Sequence, residues 1–381
     1  MRKKVLIIDS NYPNENNLYG DVFVHSRARF YKNVFDIQVL GWDKRRENFE
    51  FTYEGIPAKS FKTKKELTRN IFEYKPDIIL IHFVEGWMLS AFIKPINCPV
   101  LIWVHGAEAL GWYRRIFNFR NVLQFGNYVL KNTLQLIKVR QLISYSNHTD
   151  KVAFIFVSNW MKGITETDTR IKVKNYHLIP NPIDANIFQY VEKTPDQRKH
   201  ILLIRSFNSK KYANDIAIDA IMELSNKDFF SDIRFSIYGM GKYFKPLTKK
   251  LEKFDNVNLH NTFVENTSIP EIHRQHGIFL CPTRQDAQGV SMCEAMSSGL
   301  VPISSFNTAI PEFLDDQKTG FMTNSAKEIA QAVEVLYYNP DKYLKISKNA
   351  ATSIQEKSGN DTVLQKEIKI IEDNIDQYVK P

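Results

Sequence analysis

Short runs of apolar, largely β-branched residues alternate with stretches of helical periodicity along the whole 381-residue chain. Such alternation predicts parallel sheets that are covered by helices on both faces. The first-half runs that predict strands are KKVLIID, FDIQVLGW, DIILIHF, PVLIWVHG, AFIFVS and NYHLIPN. The second-half runs are HILLIRS, DIRFSIYG, NVNLHN, GIFLCPT, VPISS and TGFMT. The predicted fold class is therefore α/β, with two Rossmann-like, doubly wound parallel-sheet domains.

The second series of strands begins after residues 189–199 (QYVEKTPDQRK), a polar segment that breaks the apolar periodicity as a linker does. Single cores stop growing at roughly 250–300 residues, so a chain of this length is expected to form two domains. We place them at residues 1–188 and 189–362. The remaining residues, about 363–381, have the pattern of an amphipathic helix.

The net charge of +9 comes from the first half, where residues 1–190 hold 27 Lys and Arg against 17 Asp and Glu. It is most concentrated in residues 112–149, which contain no acidic residue. Aromatic and leucine residues separate the basic positions, which are Arg114, Arg115, Arg120, Lys131, Lys138 and Arg140. Two interpretations remain open: a solvated helix face over ordinary core residues, or a surface that contacts anionic lipid. No recognised nucleic-acid-binding motif accompanies the charge, so no nucleic-acid partner is expected.

The composition also bears on the cellular compartment of the protein and on metal binding. The apolar run from Val5 to Ile8 is far shorter than the core of a signal peptide, and no run approaches the roughly 20 residues that cross a bilayer. The three cysteines are scattered and lack metal-ligand spacing. We therefore expect a cytoplasmic protein without a metal site.

Candidate chemistry follows the strands, because ligands of open parallel sheets bind outside the carboxyl ends of the strands. Arg205 and Lys210 come after the strand HILLI, and two cations at one strand end suit a diphosphate. Taken alone they are better explained as surface charge beside a loop. Gly239 and Gly241 follow DIRFSIYG and by themselves predict only a tight turn.

The most informative segment is TRQDAQGVSMCEAMSSG, residues 283–299, which follows the strand GIFLCP. Gly289 permits a close backbone approach, and the free amides of Val290 and Ser291 begin a helix, an arrangement that binds phosphate. Glu294 lies about one turn further on and has the chemistry to accept hydrogen bonds from ribose hydroxyls. The alternative is a salt-bridged helix carboxylate, but its neighbours are apolar or small, and an acid near buried surface needs a reason.

Taken together, these residues resemble glycosyltransferase family 4, the retaining enzymes of GT-B fold, over nearly the whole chain. The family signature of two acids separated by seven residues is matched by Asp286 and residues 294–302 (EAMSSGLVP). Its other elements are matched by residues 20–24 (GDVFV), 105–106 (HG), 158 (S), 179–184 (IPNPID), 310–312 (IPE) and 316–320 (DQKTG).

The resemblance implies roles for individual residues. Arg205, Lys210 and the amides from Gly289 to Ser291 would bind the donor diphosphate, with Glu294 anchoring the ribose and Asp286 the sugar. In the first domain, His105 would reach the transferred sugar from across a cleft, and Gly20 would lie near the donor phosphates. The final helix would pack back on the first domain.

The expected substrates are a nucleotide-sugar donor, with a UDP-sugar as the first choice, and a glycan or lipid-linked glycan acceptor. No cofactor is expected, and no metal, since the chain contains no Asp-x-Asp. The process would be cell-envelope polysaccharide or glycoconjugate biosynthesis, in the cytoplasm or peripherally at the inner face of the cell membrane.

Several positions depart from the family pattern and bear on donor identity. Asp286 is one methylene shorter than the usual Glu, and Lys211, Pro182 and Thr308 stand where glycine is common. Two alternatives remain: a noncatalytic GT-B-like partner subunit, and a nucleotide-sugar epimerase of the same architecture. A nicotinamide dehydrogenase is not favoured, because no G-x-G-x-x-G follows the first strand.

Overall fold

The computed structural model describes residues 2–15, 17, 20–119 and 121–379. The chain folds into two compact units, Met1–Asn181 with Asp361–Pro381, and Pro182–Asn360. Each unit contains one sheet covered by helices.

The first unit is built on eight strands in the order β3-β4-β2-β1-β5-β6-β7-β8, all parallel to their neighbours except β3. Their bounds are β1 Lys4–Ile8, β2 Asp36–Trp42, β3 Phe49–Tyr53, β4 Ile56–Phe61, β5 Ile78–His82, β6 Val100–Val104, β7 Val152–Phe156 and β8 Tyr176–Leu178. The central strands β5, β6 and β7 are buried along their whole length, as expected for a parallel sheet covered on both faces.

The second unit is built on six parallel strands in the order β11-β10-β9-β12-β13-β14. Their bounds are β9 His200–Ile204, β10 Arg234–Tyr238, β11 Val257–His260, β12 Ile278–Cys281, β13 Val301–Ser305 and β14 Phe321–Thr323. The two predicted sheets, and a strand at each of the twelve predicted runs, are therefore confirmed.

Twelve α-helices connect and cover the strands of the described chain. They are α1 Val22–Tyr31, α2 Lys64–Tyr74, α3 Val122–Ser146, α4 Asn159–Thr169, α5 Asn214–Leu224, α6 Phe244–Thr248, α7 Ile269–Gln275, α8 Val290–Ser297, α9 Ile310–Phe313, α10 Ala326–Tyr338, α11 Pro340–Ser358 and α12 Asn360–Val379. Short 3₁₀ turns lie at Trp112–Asn118, Pro195–Lys199, Lys210–Tyr212, Phe230–Asp232 and Lys249–Leu251, and a π turn at Leu89–Ile93. Within the described ranges, no helix is both long enough and apolar enough to span a bilayer.

Strands β3 and β4 were not predicted from the sequence. They form an antiparallel hairpin at the edge of the first sheet, and β3 alternates between half-buried and exposed residues. The turn between them is Glu54-Gly55, and both residues have positive φ, as a two-residue hairpin turn requires. A parallel-sheet pattern of continuous apolar runs misses such an edge strand, because only one of its faces is covered.

The chain crosses between the units earlier than predicted. Residues 182–188 belong to the second unit, and Phe188 packs there, with its carbonyl accepting a hydrogen bond from Ser297 Oγ and its ring 5.8 Å from that of His273. The helix α12 is part of the first unit, where Val363, Leu364 and other apolar residues of this helix join the core. Lys380 and Pro381, and Arg120 of the basic segment, lie outside the described residues.

Candidate functional site

The strand order of the second sheet reverses between β9 and β12, which are neighbours although β10 and β11 lie between them in the chain. At such a switch point the loops after the two strands diverge and leave a crevice at the carboxyl edge. Arg205 follows β9, and residues 282–289 follow β12 and lead into α8. The predicted residues of the second half therefore meet at the edge of the sheet where ligands bind.

Arg205 is a buried cation, 7% exposed, with incomplete hydrogen bonding. Its Nη2 donates to the carbonyl of Cys281 at 3.4 Å, and its guanidinium lies 5.3 Å from the ring centroid of Tyr212. The buried Nε has no hydrogen-bond partner among the described residues. A Cβ on Gly239 would lie 2.2 Å from the Arg205 carbonyl oxygen, so this glycine is needed for close packing rather than only for a turn. The strand end thus holds a cation that retains donor capacity.

Glu294 lies on α8 close to this cation. Its carboxylate has no hydrogen-bond partner within the described part of the chain. Burial raises the pKa of Glu294 to about 8, and the charge of Arg205 opposes that rise, which places the two groups within electrostatic reach. An acid shielded from water without a partner is costly. The ribose-binding role of Glu294 stays a prediction.

Asp286 organises the loop before α8. Its Oδ1 accepts the backbone N–H of Gly289 at 2.7 Å and that of Gln288 at 3.3 Å. Gly289 has φ +80°, a left-handed conformation that glycine adopts without a steric penalty. The helix begins at the next residue, and the first-turn amides of Val290 and Ser291 have no intrahelical acceptor. Asp286 therefore shapes the loop that presents these amides; its role toward the sugar stays a prediction.

Lys210 begins a 3₁₀ turn that is hydrogen-bonded to the loop after β12. Its carbonyl accepts a hydrogen bond from Arg284, which also forms a bidentate pair with Asp215. Its Nζ has no polar partner among the residues that the structure describes. Lys211, which replaces a common glycine of the family, places its ammonium 4.9 Å from the Tyr212 ring centroid. Two cations, Arg205 and Lys211, thus lie near the Tyr212 ring after β9.

Thr308, another departure from the family glycines, adopts φ +52°. This conformation is unfavourable for a β-branched residue and costs on the order of 1–2 kcal/mol. Thr308 Oγ1 lies 3.4 Å from the backbone nitrogen of Asp286 and accepts its hydrogen. The strained residue therefore contacts the Asp286 loop from the segment that follows β13, and the site tolerates its backbone strain.

In the first unit, Gly20 and His105 follow the strands β1 and β6. A Cβ on Gly20 would lie 2.4 Å from the Asn11 carbonyl oxygen, so the glycine loop is closed by direct backbone contact. Burial, and to a lesser degree Arg27, holds the pKa of His105 well below its usual value. His105 is therefore a neutral ring at physiological pH.

Two side chains that were not selected from the sequence hold His105. His82, the last residue of β5, places its Nδ1 2.9 Å from His105 Nε2. Glu108 accepts the backbone N–H of His105 at 2.5 Å and that of Gly106 at 3.0 Å. Burial raises the pKa of Glu108 to about 7, and the backbone amides of Glu108, His105 and Gly106 oppose the rise. Applying the strand-end rule to the first half as well as the second would have selected His82.

No group of three or more His, Cys, Asp or Glu side chains within the described ranges is arranged to hold a metal ion. The organising charges of the second-unit site are the cations around Arg205 and the first-turn amides of α8.

Comparison with known proteins identifies two family models. Residues 21–187 match the model described as Glycosyltransferase Family 4, and residues 198–339 match the one described as Glycosyl transferases group 1. The second match contains the whole of the Arg205 to Glu294 region.

Individual relatives are distant. The alpha-monoglucosyldiacylglycerol synthase of Acholeplasma laidlawii is 23% identical over 204 residues, which is 49% of this chain and 50% of that protein. WcaL of Escherichia coli (strain K12), whose name refers to colanic acid biosynthesis, is 24% identical over 187 residues, 46% of this chain and 45% of that protein. The matched part thus spans about half the length of these curated relatives.

The crystal structure of Anabaena HepE in complex with UDP and glucose is similar over 97% of this chain and 100% of that one, with TM-score 0.70 and 13% identity. An identity this low shows the fold alone. The structural similarity shows the GT-B fold, and the two family models show that the chain belongs to the family 4 glycosyltransferases.

Proposed function

We propose that this protein transfers a sugar, with retention of configuration, from a nucleotide-sugar donor to a glycan or lipid-linked glycan acceptor. A UDP-sugar is the proposed donor, and the process is the biosynthesis of a polysaccharide or glycoconjugate. The observation that carries this proposal is that a buried, incompletely bonded Arg205 and an unpartnered Glu294 lie within electrostatic reach of each other at the switch point of the second sheet.

The difficult step in such a transfer is cleavage of the bond between the anomeric carbon and phosphate, because the departing diphosphate gains negative charge. Groups placed in advance where that charge develops stabilise the transition state. Arg205, Lys210 and the amides of Val290 and Ser291 are proposed to do so. Glu294 would accept hydrogen bonds from the ribose, and His105 would contact the transferred sugar. No metal ion is proposed to take part in the reaction.

The names of similar proteins support this choice of substrates. HepE was crystallised with UDP and glucose, and the Acholeplasma enzyme is named as a glucosyldiacylglycerol synthase. The first name supports a uridine nucleotide donor for this chain, and the second supports a lipid acceptor.

Thermal unfolding with UDP, GDP, ADP and TDP, each in turn, tests the donor site. We expect one of them, UDP first, to raise the unfolding temperature, since a ligand at 100 times its Kd adds about 2.7 kcal/mol. Arg205→Met should abolish the shift. Arg234→Met, which removes an exposed arginine from the amino end of β10, should keep it.

The alternatives give other results. A noncatalytic partner subunit would show no shift with any nucleotide in the unaltered protein. An epimerase would bind nucleotide but convert a UDP-sugar to its epimer without an acceptor, whereas a transferase releases UDP in proportion to acceptor glycosylated.

A second proposal concerns the basic segment 112–149, which we propose lies on an anionic membrane surface. On α3, Leu123, Leu130, Leu134 and Ile137 form one stripe of helical spacing and are 49–84% exposed. Exposed apolar residues in such a row are unusual on a solvated helix. This observation favours lipid contact over the solvated-face interpretation.

Charge supports the same partner. Lys131 and Lys138 are exposed beside the stripe, and the segment holds no acidic residue of its own. Arg114 is different, because Asp168 pairs with it at 2.9 Å. Lysines next to an apolar stripe contribute about 1 kcal/mol each near anionic lipid. The protein would then act peripherally at the inner face of the cell membrane.

Flotation with phosphatidylcholine vesicles, with and without phosphatidylglycerol, tests the membrane contact. We expect binding only to the anionic vesicles, weakened about tenfold or more by Leu130→Glu with Leu134→Glu. Val34→Glu adds charge at an exposed apolar position of the same unit outside the stripe and should bind nearly as the unaltered protein does. Equal flotation of all variants, or none with anionic vesicles, would contradict the proposal.

A further inference from the structure

His82 has no role in the proposed reaction, yet it is almost fully buried at the carboxyl end of β5, 2% exposed. Its ring lies beside that of His105, with the ring planes inclined by 14° and His82 Nδ1 2.9 Å from His105 Nε2. The backbone of His105 is fixed as well, because the Glu108 carboxylate accepts hydrogen bonds from the amides of His105 and Gly106. His82 therefore holds the His105 ring at Nε2, and Glu108 holds the backbone that carries it.

A hydrogen bond between two imidazoles needs one N–H donor and one bare nitrogen. Burial lowers the pKa of both rings well below the usual value, so each ring carries a single proton. Only two arrangements are then possible. Either His82 Nδ1–H donates and His105 is protonated on Nδ1, or His105 Nε2–H donates and His82 is protonated on Nε2.

The surroundings of His82 distinguish between these two proton arrangements. Its Nε2 is buried and has no hydrogen-bond partner in the part of the chain that the structure describes. A buried N–H without an acceptor is rare in proteins, so the arrangement that would place a proton on this nitrogen is disfavoured. The proton of His82 therefore belongs on Nδ1, facing His105.

We propose that His82 is a positioning residue that holds His105 in the tautomer protonated on Nδ1, so that His105 presents an N–H donor to the sugar. The His105 ring is partly exposed, and no described residue bonds to its Nδ1. The consequence for the sugar rests on the proposed function, whereas the tautomer itself does not. An Nδ1–H selects a hydroxyl oxygen as partner, and the opposite tautomer would offer only an acceptor there.

The tautomer is measured directly, without substrate, by ¹⁵N NMR of the full-length protein labelled at histidine. We expect the His105 signals of a ring protonated on Nδ1 in the unaltered chain and in His177→Phe, a control on strand β8 of the same sheet. In His82→Phe, which removes the donor, we expect the Nε2-protonated form to appear. Protonation of His105 on Nε2 in the unaltered protein would overturn the proposal, as would an unchanged tautomer in His82→Phe.

Kinetics give a second readout. We expect His82→Phe to lower kcat by about 100-fold, the usual scale for a misplaced reacting group, with KM for the UDP-sugar changed less than about threefold. His82→Gln, whose side-chain N–H₂ is able to donate to His105 Nε2, should recover at least part of kcat. A higher KM together with a lower kcat in both variants would indicate a structural role only. Because the NMR result needs no turnover, it stands or fails separately from the proposed function.

Discussion

Replacing Glu367 by glutamine is expected to lower the free energy of unfolding of the first unit by about 3–5 kcal/mol, because it leaves a buried arginine without its counter-charge. Arg27 and Glu367 are both fully buried and 3.0 Å apart. Tyr31 also donates its hydroxyl hydrogen to Glu367, and Arg27 donates to Asn181 at 3.2 Å. These bonds connect α1, α12 and the last residue before the chain enters the second unit.

The measurement is urea unfolding, with the transition of the first unit followed separately. Glu372→Gln makes the same substitution on an exposed position of α12 and should change stability by less than about 0.5 kcal/mol. If the two variants unfold alike, the buried pair does not anchor α12 in the way the contacts indicate.

Replacing Glu294 by glutamine is expected to stabilise the ligand-free protein, and increasingly so as the pH rises. Below pH 4.5 the carboxyl is protonated in both the folded and the unfolded chain. Between its ordinary pKa of 4.5 and the folded value of about 8, only the unfolded chain loses the proton, so the folded state becomes relatively less stable. Above that range the full cost, about 3–5 kcal/mol, is present, and the glutamine variant avoids it.

Chemical unfolding at pH 4.5, 7 and 9 tests this expectation. The stability difference between Glu294→Gln and the unaltered protein should be near zero at the lowest pH and largest at the highest. Glu356→Gln, an exposed position on α11, should show no such trend. A constant difference across the pH range would mean that Glu294 ionises normally and that its carboxyl is not shielded from water in the folded protein. A gain in stability with a loss of nucleotide binding would mark the acid as functional.

The chemistry of the second-unit site could be predicted from the sequence because it is local. Gly289, the amides that follow it and Glu294 lie within one loop and one helical turn, so their spacing alone places them together. Arg205 was found by the same rule, since it follows a recognisable strand. The rule does not reveal that Asp286 binds the Gly289 amide, or that Thr308 is strained, because both depend on the detailed path of the loops.

The pattern of apolar runs determined the α/β class, the number of sheets and the approximate position of every parallel strand except β4, because these features depend on residues within one element. Tertiary structure alone decided which strands are neighbours and which side chains meet. Arg27 and Glu367 are 340 positions apart, and His82 reaches His105 only because β5 and β6 pair. Burial decided the proton affinities of Glu294 and His105, because the cost of desolvating a charge depends on everything that surrounds it and not on the residue itself.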